Sequence, residues 1–93
     1  MREKTIERKF VAAVKAAGGL ALKFTSPGFD GMPDRSVLLP GGKMAFVEVK
    51  TPGEKPRPLQ LARHRLLRRL GFRVYVLDDE SQIGGIVDEI QST

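Results

Sequence analysis

Ile6, Phe10, Ala13, Val14 and Ala17 recur three and four residues apart, the spacing of one helical face, and Gly18-Gly19 follows as a stop signal. Residues 3–17 are therefore expected to form an amphipathic helix. Leu20 to Thr25 is a short apolar run with one lysine and reads as a strand, and Ser26 to Pro33 is rich in residues that break regular structure. Two strand-like runs, Arg35 to Leu39 and Lys43 to Lys50, flank Pro40-Gly41-Gly42, a compact hairpin signal. Thr51 to Pro58 carries three prolines and a glycine, so it reads as a loop that ends by starting a helix at Pro58. Leu59, Ala62, Leu66 and Leu70 are the expected buried stripe of that helix, with Gly71 as its stop. Phe72 to Leu77 is the most strand-like segment, and residues 80–91 form a last helix weakened by Gly84-Gly85.

The resulting order is α-β-β-β-α-β-α, with no internal repeat and no linker. The third strand, second helix and fourth strand make a crossover unit, for which parallel, right-handed strands are expected. The fold class is α/β, a small mixed sheet flanked by helices, in a single domain over residues 1–93.

Composition narrows the function classes. At 41% hydrophobic and 29% charged, the chain is too apolar for disorder, and no apolar run approaches the roughly 20 residues of a membrane span. The absence of cysteine excludes disulfides and thiolate zinc sites. Met1-Arg2-Glu3-Lys4 leads into a mixed-charge stretch without an apolar signal core, so a cytoplasmic protein is expected. The net charge of +5 either keeps a small protein soluble or serves a polyanionic partner. Its distribution favours the partner. Lys50, Lys55, Arg57, Arg63, Arg65, Arg68, Arg69 and Arg73 crowd together, with Glu54 the one acid among them. DNA contacts are expected from Lys55, Arg57, Arg63, Arg65 and Arg69, and from Lys23, which could instead merely guard an edge strand.

The candidate chemistry lies at Pro33-Asp34 and, fourteen positions later, Glu48-Val49-Lys50. Strand side chains alternate, so Glu48 and Lys50 share one face while Val47 and Val49 share the other. If Pro40-Gly41-Gly42 is the hairpin loop, Leu39 faces Lys43 and Asp34 falls opposite Glu48, within about 5.5 Å at Cβ. A slip of one residue would send Asp34 to the wrong face. Two adjacent carboxylates repel unless a cation joins them, and oxygen ligands of this kind suit Mg²⁺ or Mn²⁺. A lysine two residues from such a ligand can orient or deprotonate a water and neutralise charge on a reacting phosphate. A bare Glu-x-Lys is more often a plain solvent-facing pair. Here, Met44 and Phe46 on the same face imply a buried surface that turns acidic at Glu48.

Gly31-Met32-Pro33-Asp34, Phe46-Val47-Glu48-Val49-Lys50 and Pro58-Leu59-Gln60 together resemble the VRR-NUC branch of the PD-(D/E)XK nucleases, over roughly residues 5–77. The resemblance implies a restriction-endonuclease-like core of order αβββαβ(α) and a metal-dependent deoxyribonuclease. It implies that Asp34 and Glu48 bind the metal together with the Val49 carbonyl, and that Lys50 assists the water. It also implies that Gln60 is the glutamine of the second helix and that a glutamate of the first helix completes the site. Glu7 matches that position and Glu3, one turn earlier, is its rival; acids in a first turn also stabilise a helix with no active site at all. A short chain of this type is expected in a bacterial or phage-infected cell, as a homodimer acting on branched DNA such as four-way junctions. Phe29 and Met32, in a loop with little core to fill, are expected to be exposed at an interface. His64, the sole histidine, is expected at the surface. A basic DNA-binding module without catalysis and an assembly protein using the basic helix remain as alternatives, distinguished by indifference to divalent metal.

Overall fold

A computed structural model describes residues 2–93. The elements are α1 (Glu3–Ala16), β1 (Leu20–Lys23), β2 (Arg35–Leu39), β3 (Lys43–Val49), α2 (Pro58–Arg69), β4 (Val74–Leu77), a 3-10 turn (Glu80–Gln82) and α3 (Ile83–Gln91). The strands form one sheet in the order β1-β2-β3-β4; β1, β2 and β3 are antiparallel neighbours, and β3 and β4 run parallel. The expected α/β class and element order are thus observed.

Alternation along β3 divides its side chains between two cores. Ala45, Val47 and Val49 join Ala21, Val37 and Leu77 under Ile6, Phe10 and Val14 of α1 and Ile83, Ile86, Val87 and Ile90 of α3. Phe46, on the other face, meets Leu67 of α2 and Val74, with Phe24, Met32 and Met44 packed around them. Gly84 and Gly85 do not prevent α3, because they face open space while its four aliphatic residues are buried. The second core is small, and α2 roofs only the β3–β4 side of its face. Leu20, Leu22 and Leu38, toward the β1 edge, remain 55%, 45% and 42% exposed.

The hairpin takes the register expected from its loop. Leu39 pairs with Lys43 and Arg35 with Val47, which carries Asp34 to the level of Glu48. β1 ends at Lys23 rather than Thr25, although Phe24 N still donates to the Asp34 carbonyl at 2.8 Å. β4 begins at Val74, not Phe72.

The face of α2 differs from expectation. Its buried residues are Gln60, His64 and Leu67, while Leu59 and Leu70 are exposed. The helix is rotated by about one residue, roughly 100°, from the leucine stripe. The physical reason lies beneath it: the first turn of α2 covers the Glu48 end of β3, where a buried carboxylate needs a polar partner that leucine cannot provide. His64 is consequently buried, at 1% exposure, and not a surface residue. Met32 likewise packs into the second core instead of standing exposed. Phe29 is exposed as expected, with the Arg63 guanidinium 3.8 Å above its ring.

Gly31 sets how closely the loop before β2 approaches α2. Its φ is +89°, and a Cβ there would lie 2.8 Å from Leu59 Cγ. Gly28 in the same loop also has positive φ, at +80°, but open space around it. Gly31→Ala should therefore cost more stability than Gly28→Ala. The backbone penalty of about 1–3 kcal/mol applies to both, and only Gly31→Ala adds a clash with α2. Urea unfolding of the two variants measures the difference, and equal losses would contradict this packing.

Candidate active site

The β2–β3 hairpin and the start of α2 converge on one carboxylate. Glu48 is 1% exposed, in the last turnings of β3 before the loop to α2. Asp34, just ahead of β2, is fixed beside it because its Oδ2 accepts the Val49 amide at 2.9 Å. From α2, Gln60 Nε2 donates to Glu48 Oε2 at 3.1 Å, while Gln60 Oε1 accepts the Arg57 amide at 2.8 Å. One side chain thus caps the helix and holds the buried acid. Lys50 Nζ lies 3.9 Å from Glu48 Oε2, and His64 Nε2 lies 3.7 Å from Glu48 Oε1. Both distances exceed a hydrogen bond, so Glu48 Oε1 is buried without a donor, as are both His64 nitrogens.

Burial pushes the Glu48 carboxyl up to about 8, and the charge and contact of Asp34 push in the same direction, against the opposing pull of Lys50. His64 is shifted the other way, first by burial and then by the positive charges of Arg68 and Lys50, so its imidazole is held neutral. Among the described residues, the buried acid therefore has one firm neutral donor and one distant cation.

The glutamates of α1 separate. Glu7 accepts from Arg35 Nε at 2.9 Å, and Arg35 is itself anchored to the Ala21 carbonyl at 3.0 Å. The resemblance favours Glu7 as the completing acid, but its carboxylate is already matched by an arginine. Glu3 is the acid coupled to the pair. Its carboxyl is raised by burial, then by the charges of Asp34 and Glu54. Both glutamates, with Lys23, Phe24, Thr25 and Asp34, line a cavity of about 280 Å³.

The site suits a hard divalent cation on the chemistry of its donors. An unpartnered buried carboxylate oxygen and a carboxylate neighbour that raises its pKa are both relieved by a cation bound to oxygen. Among the described residues, no group of three or more Asp, Glu or His side chains is gathered to enclose such an ion. The protein would therefore offer Asp34, Glu48 and a backbone carbonyl such as that of Val49, an open set that leaves room for water and phosphate.

The basic residues expected to meet DNA do not all face this site. Lys23 does, across the cavity beside Asp34. Lys55 and Arg57 are exposed on the connection from β3 to α2. Arg63 turns to the loop before β2, donating to the Asp30 carbonyl at 2.7 Å, and Arg68 donates to the Val74 carbonyl at 2.9 Å. Arg65 and Arg69 are exposed on the side of α2 turned away from Gln60 and His64. His64 is the residue whose place at the site is missed; its spacing of four from Gln60 was the available signal, obscured because both are polar.

The raised Glu48 pKa has a consequence for stability without metal. The unfolded chain releases this proton near 4.5 and the folded chain retains it to about 8, so stability falls as pH rises between them. His64 acts oppositely, but only below its ordinary value of 6.5. In EDTA, the melting temperature should therefore fall from pH 6.5 to 8 in the wild type, and Glu48→Gln should flatten that fall. Thermal melts across the window check this, and parallel curves for the two proteins would contradict it.

Comparison with known proteins gives concordant matches. The chain is 54% identical over 80 residues to a protein of Acyrthosiphon pisum secondary endosymbiont phage 1 named "Putative nuclease p44", covering 86% of each chain. It is also similar to a solved structure described as a "VRR_NUC domain", with a TM-score of 0.87 and 34% identity, over 92% of this chain and 94% of that one. No family model matches the chain.

Proposed function

This chain belongs to the VRR_NUC family and is a nuclease, and from that premise we propose that it is a Mg²⁺- or Mn²⁺-dependent endonuclease that hydrolyses phosphodiester bonds of branched DNA as a homodimer. The observation that carries the metal-dependent reading is the pair of carboxylates itself: Asp34 and Glu48 are held together, one oxygen of the buried partner has no donor, and Lys50 shares the face.

Asp34, Glu48 and the Val49 carbonyl would hold the cation, which when bound supplies positive charge to a phosphate oxygen and lowers the pKa of a water. The chain's own groups divide the remaining work. Lys50 orients the attacking water and offsets the negative charge that develops on phosphorus. Gln60 donates to Glu48 Oε2 and so fixes the orientation of the carboxyl group beside Asp34. Asp34 is steadied in its place beside Glu48 by the Val49 amide.

Lys50→Ala should lower turnover by about a hundredfold or more while leaving fold and DNA binding largely intact. Asp34→Asn and Glu48→Gln should each weaken Mn²⁺ binding in calorimetric titration. The assay is cleavage of labelled duplex, flap, splayed and four-way DNAs with Mg²⁺, Mn²⁺ or EDTA. Wild-type turnover in Lys50→Ala, or undiminished cutting in EDTA, would contradict the reading.

Support for the homodimer comes from the uncovered part of the sheet. Leu20 pairs with Leu38 across β1 and β2, and Leu22 continues the same exposed face beyond the reach of α2. A second copy placed there through two-fold symmetry would cover both patches at once, and that symmetry matches the approximate two-fold of a four-way junction. Light scattering should give the mass of a dimer, and Leu20→Glu combined with Leu38→Glu should give a monomer. Strand-specific labelling of a junction should show paired cuts for the wild type and single nicks for the variant. A wild-type protein that is monomeric and makes unpaired nicks would overturn the dimer and leave the carboxylate chemistry standing.

A further inference from the structure

α1 carries a stripe distinct from both its buried face and its acidic margin. Lys4, Arg8 and Lys15 fall on one side of the helix, away from Ile6, Phe10 and Val14. With Lys23 of β1 and Arg35 of β2, they line a groove of about 600 Å³. Its single acidic lining residue is Glu7, whose charge is matched by Arg35. Among the described residues, Lys4, Arg8, Lys15 and Lys23 have no ion-pair partner. Lys9, on another face of the same helix, is by contrast paired with Glu80. Excess charge on this helix is thus neutralised on one side and left open on the side that is concave.

The groove leads to the candidate active site. Glu7 and Lys23 belong to its wall and also to the cavity that contains Asp34. Its floor includes Val11 and Ala12, small enough for a backbone to approach closely. From Lys4 to Lys15 the helix advances about 16 Å at its usual rise, and one DNA strand presents a charge about every 3.4 Å along the duplex axis. The stripe is therefore long enough to meet several consecutive phosphates of one strand. The basic residues of α2 are less directed at the site, since Arg63 and Arg68 each donate to a backbone carbonyl of this chain and Arg65 and Arg69 face away from it.

We propose that this α1 groove, through Lys4, Arg8, Lys15 and Lys23, holds the phosphate backbone of the DNA strand that flanks the bond to be cut. The inference rests on the nuclease reading above and adds the surface that orients the substrate. The contact proposed is to backbone charge, and the groove has no aromatic side chain for base stacking.

The test uses fluorescence anisotropy with a labelled duplex and a labelled four-way junction, across a salt series in EDTA, with steady-state cleavage in Mg²⁺ alongside. Arg8→Ala combined with Lys15→Ala removes two exposed cations that have no role at the carboxylates. It should reduce the slope of log K against log salt by about 2, near one for each lost phosphate contact. KM should rise while kcat at saturating DNA is retained. Lys9→Ala, on the paired face of the helix, should leave the slope unchanged. If the alanine pair fails to fold, Arg8→Gln with Lys15→Gln removes the same charges and preserves side-chain bulk. An unaltered slope in the folded double variant overturns the proposal. An equal reduction in Lys9→Ala also overturns it, because net charge would then explain the binding. Wild-type protein that binds DNA but cuts none would sink the catalytic reading, and the slope comparison would still decide the groove.

Discussion

Burying Glu48 beside Asp34 is the constraint around which the small domain is arranged. Alone, a carboxylate removed from water is expensive, and a second acid at its side makes ionisation harder. The fold holds the pair in place by three routes. The hairpin register fixes the two strands, the Val49 amide anchors Asp34, and Gln60 brings the start of α2 onto Glu48. Removing one partner of such a group is costly because the buried atom left behind has no water to turn to. Glu48 Oε1 is left in that condition, which is why the site stores a demand for positive charge.

That demand explains features that hydrophobic packing alone does not. α2 gives its inner face to a glutamine and a histidine beside a single fully committed leucine, and so the second core is small. The first core takes up the loss, with aliphatic residues from α1, α3 and all four strands. The domain therefore has a robust side and a functional side, separated by one sheet. A side chain on β3 belongs to either according to whether its number is odd or even.

Much of this architecture can be read from the chain because it follows from short-range rules. A compact glycine loop fixes the β2–β3 register, and a side-chain period of two then places Asp34 level with Glu48 and Lys50 on the Glu48 face. The rotation of α2 is not legible in the same way. Periodicity counts leucines, whereas the helix turns its polar Gln60 and His64 inward and leaves Leu59 and Leu70 in solvent. The distinction between Glu3 and Glu7 is hidden for a related reason: both lie at one margin of α1, and only the tertiary position of Arg35 decides which is already occupied. The open stripe of Lys4, Arg8 and Lys15 is masked by the acids interleaved with it. Met32 is obscured by its loop, which looks coreless until Phe46, Leu67 and Val74 are brought beneath it.

Gln60 joins two roles in one side chain. The same side-chain amide closes the first turn of a helix and restrains the buried acid. First turns fray far more readily than whole domains unfold, and local opening of this kind has its own, smaller free energy. When that turn opens, Glu48 loses its firm donor while the sheet and the α1–α3 side remain intact. Loss of that turn alone would therefore disturb the alignment of the site while leaving the fold in place, so the stability that matters to the site is that of one helical turn.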